Sequence, residues 1–123
     1  MKDPDTLTAS ALAAQMKVIA DPRRLAILEL CMSGQQCNCN LGERLGLPMN
    51  LISHHLKVLR KAGLVTFSRD VHDGRWIHYA IDKDGITRLH AAVGSFLSPQ
   101  RITNKPPACR PRMEKAERKG AAR

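Results

Sequence analysis

Apolar side chains recur at intervals of three and four residues in successive segments of the chain, and this period predicts five helices. The predicted helices cover residues 7–20, 22–33, 38–45, 49–61 and 83–97. Asp21 and Pro22 suit the N-cap and the first position of the second helix, and Gly46 suits the left-handed residue that ends the third. The residues expected on the apolar faces are Leu12, Met16 and Ile19, then Leu25, Leu28 and Met32, then Ile52, Leu56 and Leu59, and last Ile86, Leu89, Val93 and Phe96.

Between the fourth and fifth predicted helices the spacing of apolar residues changes to two, which predicts a β-hairpin. Its strands are expected over residues 65–69 and 75–81. Asp73 and Gly74 lie between them, and an Asp-Gly pair is favoured in tight hairpin turns. Trp76 and Tyr79 fall within the second strand and are expected to pack against neighbouring side chains. The fold class is therefore mainly α with one β-hairpin.

The apolar pattern ends near Leu97 and divides the chain of 123 residues into a body and a tail. The body is expected to form one domain over residues 6–97, because a chain of this length has room for a single core. The tail, residues 98–123, contains four prolines and few large apolar side chains. It is expected to be a flexible basic arm, with a short helix suggested near residues 113–119.

The charge of the chain indicates a partner. There are 20 Lys or Arg residues against 11 Asp or Glu residues, which gives a formal net charge of +9. A small domain this basic usually binds a polyanion. No apolar run approaches the roughly 20 residues of a membrane helix, and the start lacks a signal-peptide pattern. We therefore expect a cytoplasmic protein without a membrane partner, whose four cysteines are reduced thiols.

The segment from Leu41 to Leu64 predicts a helix-turn-helix, because two short helices are joined by a tight turn at residues 46–48. In such a motif the second helix enters the major groove of DNA and its N-terminal residues face the base edges. Asparagine and serine can read bases, and lysine suits phosphate. The expected DNA-contacting residues of this helix are Asn50, Ser53, His54, His55 and Lys57.

Two of these assignments leave room for alternatives. His55 falls beside the apolar face, where a hydrogen-bonded core histidine is as reasonable as a DNA contact. The exposed face of a lone helix would ordinarily be a solvated surface, and it is the turn, the hairpin and the net charge together that favour DNA binding. The hairpin would act as a wing whose Arg69, His72 and Arg75 reach the adjacent phosphates or minor groove.

Three segments resemble the ArsR/SmtB family of metal-sensing bacterial repressors. They are DPRRL at residues 21–25, ISHHLKVLRKAGLV at residues 52–65 and GRWIHY at residues 74–79. The resemblance covers about residues 10–97 and implies a winged helix-turn-helix homodimer that binds operator DNA until an inducer releases it. It further implies that the first and last helices form the dimer interface. Their apolar faces suit that role, the last helix better than the first, although packing in a monomeric core would also explain them.

Cys37 and Cys39 flank the start of the third predicted helix. Residues two apart in a regular helix point about 200° from each other, whereas in extended chain they point the same way. The two sulfurs are therefore expected to share one ion only where the start of the helix is extended or unwound. Positive charge at a helix N-terminus is also expected to lower the pKa of a thiol there.

The resemblance implies that a Cys-x-Cys pair at this place binds As(III), with Sb(III), Cd(II) or Pb(II) as further possibilities, and thiolates favour such soft ions. Some relatives carry a third cysteine where this chain has Gly42. Cys109 is the candidate for a third sulfur. It lies twelve residues beyond Leu97, and an extended chain of that length spans roughly 40 Å. Cys109 is therefore able to reach Cys37 and Cys39 in its own subunit or in the partner.

Three other hypotheses place the functional site elsewhere or give the cysteines another role. A thiol-redox or persulfide sensor would pair Cys31 with Cys109, although Cys31 lies near an apolar face and is expected to be a core residue. A small thiol enzyme such as an arsenate reductase would need a glycine-rich anion cradle beside its cysteine, and residues 37–41 lack one. A zinc site on the last helix, as the resemblance would allow, finds only Asp84 and His90 there.

Overall fold

The computed structural model describes residues 8–108, which form a helical domain with one small antiparallel sheet. The predicted fold class, mainly α with a hairpin, is confirmed. In chain order the elements are α1 (Ala9–Ile19), α2 (Pro22–Met32), β1 (Gln36–Cys37), α3 (Asn38–Leu45), α4 (Met49–Lys61), β2 (Val65–Arg69), β3 (Ile77–Ile81), α5 (Lys83–Phe96) and a 3-10 turn (Pro99–Arg101). Helices α3 and α4 form the helix-turn-helix, and the β2–β3 hairpin forms the wing.

The helix termini follow the expected capping chemistry. The Asp21 carboxylate accepts hydrogen bonds from the backbone N–H groups of Arg23 at 2.8 Å and Arg24 at 3.3 Å, so it caps α2. Gly46 ends α3 with φ of 64°, a left-handed conformation that glycine adopts without strain. Gly46 therefore fixes where α3 ends and the turn to α4 begins.

The core confirms the predicted inner face of α4. Ile52, Leu56 and Leu59 are at most 1% exposed. They pack with other fully buried side chains from α2, α3 and the start of the wing, namely Ile27, Leu41, Leu64 and Val65. The orientation of α4 is therefore set by its apolar stripe, which leaves the opposite face in solvent.

The predicted inner face of α2 is wrong in two positions. Leu25 is 49% exposed and Met32 is 59% exposed, whereas Ile27 and Cys31 are buried beside Leu28. Both stripes have helical spacing, so the period alone could not choose between them. With Ile27 and Cys31 buried, Arg24 also faces the interior of the domain, where its guanidinium contacts α1 and α4.

One of those partners is His55 of α4. The Arg24 guanidinium donates from Nε to the Val18 carbonyl at 2.6 Å, and its Nη1 lies 3.2 Å from His55 Nδ1. A guanidinium only donates hydrogen bonds, so Nδ1 must be the acceptor and the ring proton lies on Nε2. His55 is 4% exposed. The assignment of His55 as a DNA contact is therefore wrong, and its ring instead ties α2 to α4.

The sheet contains a strand that the sequence pattern did not predict. β1 pairs with β3, which also pairs with β2, so the strand order is β1-β3-β2. Gln36 is opposite Tyr79 and Cys37 is opposite His78. A strand of two residues has no period to detect, but this one joins the start of α3 to the wing.

The hairpin connection differs from the predicted tight Asp-Gly turn. Arg69 pairs with Ile77, so the loop spans residues 70–76. Gly74 is not among the glycines with positive φ, which excludes the turn that an Asp-Gly pair usually makes. β3 begins at Ile77, after Trp76. The Trp76 side chain is 41% exposed, so the prediction that it packs is wrong, whereas Tyr79 is buried as predicted.

The described part of the tail continues from α5. Ser98 caps the turn at Pro99–Arg101, and the Arg101 guanidinium lies 5.0 Å from the centre of the Phe96 ring. The helix suggested near residues 113–119 lies outside the described residues, and the division of the chain at residue 97 stays a prediction. Within residues 8–108 every helix is too short or too polar to cross a bilayer.

Helix α5 approaches the end of α4 at a glycine. A Cβ atom built on Gly85 would overlap the Gly63 carbonyl oxygen, so this contact between the two backbones needs a residue without a side chain. Gly63 itself has φ of 78° in the turn that follows α4. The position of α5 against the wing-bearing half of the domain therefore depends on Gly85.

We expect Gly85→Ala to destabilise the domain by about 2 kcal/mol or more, because overpacked sites typically cost 1–3 kcal/mol. The free energy of unfolding in urea, followed by circular dichroism, measures the effect. Gly74→Ala in the hairpin loop is the control, since a Cβ there meets nothing within 4 Å. Equal stabilities of the two variants would contradict the close approach.

The buried His55 predicts a pH dependence of stability. Burial lowers the pKa of His55, and the nearby Arg24 charge lowers it further against the opposing charge of Asp21. The unfolded state therefore takes up the proton first. The stability that neutral His55 contributes is present above its ordinary pKa of about 6.5 and is lost as the pH falls below it.

We expect the urea midpoint of the wild type to fall more between pH 7.5 and pH 5.5 than that of His55→Asn, which keeps an acceptor near Nδ1 but does not titrate. His72→Asn serves as the control, because it removes an exposed histidine of the hairpin loop and leaves the buried one in place. Identical slopes for wild type and His55→Asn would show that His55 is not buried in its neutral form.

Candidate nucleic-acid interface and thiol pair

The solvent face of α4 carries the predicted base-reading residues. Asn50, Ser53, His54 and Lys57 are all exposed, and their spacing of three and four places them along one side of the helix. The Leu47 N–H donates to the Gly42 carbonyl at 3.1 Å, which closes the turn between α3 and α4. The geometry thus presents a continuous polar strip, with His55 turned into the core behind it.

The wing displays its three predicted basic residues, but two of them are engaged. The Arg75 guanidinium lies 2.7 Å from the Asp73 carboxylate, and Arg69 donates to the Gly74 carbonyl at 2.8 Å. The hydrogen bond from Arg75 lowers the pKa of Asp73. His72 is exposed in the same loop. Water screens an exposed ion pair of this kind, so a phosphate can displace it.

Asp70 organises this loop, and sequence reasoning missed it. One of its carboxylate oxygens accepts from the backbone N–H groups of His72 at 2.9 Å and Asp73 at 3.0 Å. The other lies 3.0 Å from Nε2 of His78, and this contact is the main cause of the lowered pKa of Asp70. An aspartate at the first position of a turn was the available signal.

Cys37 and Cys39 bring their sulfurs to 3.3 Å from each other. Cys37 is the N-cap of α3 with ψ of 149°, so the pair begins in extended chain and ends inside the helix. The extended start that the sequence required is therefore provided by β1, and α3 need not unwind. A disulfide bond would bring the sulfurs to about 2.04 Å, so both are free thiols.

The expected lowering of thiol pKa at this helix start does not hold for Cys39. Its pKa is raised, first by the hydrogen bond with the Cys37 sulfur and then by burial and by the negative charges of Cys37 and Glu43. The hydrogen bond with the Cys37 sulfur stabilises the neutral thiol of Cys39.

The other two cysteines, Cys31 and Cys109, do not belong to this pair. Cys31 is 3% exposed, and burial raises the pKa of its thiol to about 11, which is unsuited to a reactive redox cysteine. Cys109 lies outside the described residues. Among residues 8–108 no third Cys, His, Asp or Glu joins the sulfur pair in a cluster with metal-ligand geometry.

Comparison with known proteins identifies the family. The family model described as "Bacterial regulatory protein, arsR family" matches residues 21–66. An HTH-type transcriptional regulator of Methanocaldococcus jannaschii is 38% identical over 59% of this chain and 80% of its own length. The arsenical resistance operon repressor of Bacillus subtilis is 34% identical over 61% of this chain and 70% of its own length.

A solved structure gives the same answer for the fold. The crystal structure of a possible transcriptional regulator for arsenical resistance superposes with a TM-score of 0.62 at 37% identity, over 70% of this chain and 86% of that one. These relatives are DNA-binding regulators, which removes the thiol-enzyme hypothesis. The chain belongs to the ArsR family and is a DNA-binding transcriptional repressor with a winged helix-turn-helix.

Proposed function

We propose that this repressor releases its operator when As(III) binds the thiolates of Cys37 and Cys39. The observation that carries the proposal is the 3.3 Å separation of the two sulfurs at the start of α3, the first helix of the DNA-reading motif. Two relatives are named for arsenical resistance, which supports the same class of inducer.

The separation of the two sulfurs fits a soft ion whose bonds to sulfur meet at a narrow angle. Two bonds of about 2.3 Å that meet near a right angle hold their sulfurs about 3.3 Å apart, whereas a tetrahedral ion with the same bond length needs about 3.8 Å. Trivalent arsenic forms such a pyramidal arrangement because its lone pair occupies the remaining direction. Sb(III), Pb(II) and Cd(II) are softer alternatives whose longer bonds would push the two sulfurs apart.

Cys109 remains the proposed third sulfur donor. Ala108, the residue before it, is the last residue that the structure describes, and Cys109 lies twelve positions beyond Leu97. That length allows it to reach the pair in its own subunit or in a partner. Comparing thiolate-to-arsenic absorption of the wild type with that of Cys109→Ser distinguishes two bonded sulfurs from three.

The surface for DNA follows from the two exposed elements. We assign Asn50, Ser53 and His54 to base edges in the major groove and Lys57 to phosphate, because they line the solvent face of α4. Arg69, His72 and Arg75 would reach the phosphates or minor groove beside it from the wing. His55 takes no part in this surface.

A homodimer through α1 and α5 is proposed as the operator-binding form. The two helices share an apolar groove of about 260 Å³ that is lined by Met16, Val93 and Phe96 among others, and Met16 and Phe96 are each 40% exposed. A second groove of about 350 Å³ continues along α5 beside Leu89. A second copy of this surface would cover both grooves, and a two-fold dimer of this kind would present two reading helices to two half-sites.

Release of DNA requires the inducer to prefer the free form of the repressor. A shift from mostly bound to mostly released operator needs several kcal/mol of differential affinity. The thiol pair is placed to supply it, because Cys37 starts the helix that precedes the reading helix α4 and also pairs with β3 of the wing. An ion bound by the two sulfurs would therefore lie where α3 and the wing meet.

We expect Cys37→Ser with Cys39→Ser to keep operator affinity within a few fold and to abolish release by arsenite, since serine oxygens do not replace soft sulfur ligands. Fluorescence anisotropy of a labelled operator fragment measures affinity, and ultraviolet absorption measures thiolate ligation. Cys31→Ala is the matched control and should respond like the wild type. Arsenite-dependent release by the double variant would disprove the site.

The ion pair in the wing yields a separate prediction. Asp73→Asn frees the Arg75 guanidinium for phosphate, so operator affinity should rise and the slope of log affinity against log salt should steepen by up to about one. Asp84→Asn on α5 makes the same change in net charge away from the wing and controls for it. An equal gain in both variants would mean that net charge, rather than Arg75, causes the effect.

A further inference from the structure

We infer that Arg24 and His55 are positioning residues for operator recognition, because together they hold the ring of His54 in one orientation on the DNA-facing side of α4. The inference rests on the proposed function, which assigns His54 to base edges in the major groove. It extends that assignment to two residues that lie beneath the solvent face of α4 and do not themselves reach DNA.

Arg24 is held both at its backbone and at its guanidinium. Its backbone N–H donates to the Asp21 carboxylate at 3.3 Å, as part of the cap of α2. Its guanidinium donates from Nε to the carbonyl of Val18, near the end of α1, at 2.6 Å and from Nη1 to His55 Nδ1 at 3.2 Å. A guanidinium is planar, so these donors point in fixed directions. Arg24 therefore sets the orientation of the His55 ring relative to α1 and α2.

The His55 ring carries this orientation to the surface of α4. Its plane lies at 61° to that of the His54 ring, with 5.3 Å between the ring centres, an edge-to-face arrangement that aromatic pairs favour. His55 is 4% exposed, whereas His54 is exposed. The exposed ring therefore packs against a buried ring that turns only if the contact with Arg24 breaks.

One atom of His55 lacks a partner, which argues against a role in stability alone. Because Nδ1 accepts from Arg24, the ring proton lies on Nε2, and this atom is buried without a hydrogen-bond partner among residues 8–108. A buried N–H group without a partner destabilises a fold, and an apolar side chain at this position would avoid that cost. The ring is explained by its two other contacts, the acceptor that it offers to Arg24 and the surface that it offers to His54.

The surroundings of His55 keep its ring in the protonation state that this contact needs. Burial lowers the pKa of His55, the charge of Asp21 raises it, and the charges of Arg24, His54 and Arg23 lower it. The net effect is a lowered pKa, so the ring is neutral at pH 7 and Nδ1 is free to accept from the guanidinium.

The orientation of one ring matters for base readout and much less for attraction to phosphate. A hydrogen bond to a base edge weakens steeply when its angle departs from linear, and an exposed side chain without support occupies several rotamers. Non-specific binding depends on the number of cations near the DNA backbone. Loss of the support beneath His54 should therefore lower affinity for the operator and leave affinity for unrelated DNA nearly unchanged.

The test compares Arg24→Lys with Arg23→Lys and the wild type. Lysine keeps the positive charge but has one ammonium group in place of the planar fork, so it does not hold Val18 and His55 in the same way. Arg23 is the exposed neighbour in the same turn of α2, which makes Arg23→Lys the matched control. Fluorescence anisotropy at one salt concentration measures binding to two labelled duplexes, one selected from random sequences by the wild type and one with the same bases in scrambled order.

For Arg24→Lys we expect affinity for the selected duplex to fall at least about fivefold, the lower end of what one lost base contact costs. Affinity for the scrambled duplex should stay within about twofold, since the net charge is unchanged. Arg23→Lys should match the wild type on both duplexes. A merely structural role would lower both affinities by one factor, because an unfolded chain binds neither duplex. That result, or a wild-type ratio of the two affinities in Arg24→Lys, would overturn the inference.

A second measurement shows whether Arg24 acts through His54. In a His54→Ala background, Arg24→Lys should no longer change the ratio of the two affinities. In an Asn50→Ala background it should lower the ratio as it does in the wild type. Asn50 lies on the same face of α4, one turn before His54, and is therefore the matched control. An equal effect of Arg24→Lys in both backgrounds would also overturn the inference.

His55→Asn guards against misfolding of Arg24→Lys. Asparagine keeps an acceptor for the guanidinium but removes the ring against which His54 packs. It should lower the ratio of the two affinities at least about fivefold, and a wild-type ratio in this variant would overturn the inference while leaving the proposed function standing. An unchanged ratio in His54→Ala alone would instead overturn the assignment of His54 to base edges, and the inference with it.

Discussion

The pairing of Cys37 with His78 across β1 and β3 is the contact on which the thiol site depends. It holds Cys37 in extended conformation immediately before α3 begins, and this change from strand to helix turns two sulfurs that are two residues apart toward the same point. In a helix that began one turn earlier, the same two side chains would diverge. The chemistry of the site is therefore a consequence of where a very short strand ends.

Features carried by local patterns were predictable from the sequence. The bounds of α3, the left-handed Gly46 and the buried face of α4 all follow from spacing, capping residues and turn preferences within a few positions. The exposed strip for DNA follows as the complement of that buried face. The family resemblance adds the expectation of an operator and of an inducer, which no local pattern encodes.

Features set by contacts distant in sequence were not predictable. The burial of His55 depends on Arg24, which lies 31 residues earlier, and the strand β1 exists only because β3 is beside it. The inner face of α2 was ambiguous for the same reason, since two stripes have helical spacing and only the packing partner decides. In the wing, Asp70 and Asp73 hold the loop and Arg75 through hydrogen bonds that composition alone does not reveal.

Helix α3 is suited to respond to events at its first residue because little else stabilises its start. It has eight residues, and its N-cap Cys37 makes no side-chain capping hydrogen bond. A helix this short has little stability of its own, so its position depends on the buried Leu41 and on the Asn38 oxygen that accepts from Cys39. An effector that bonded both flanking sulfurs would act at this end of α3. A longer or better-capped helix would bind the same ion and transmit less of its effect to α4.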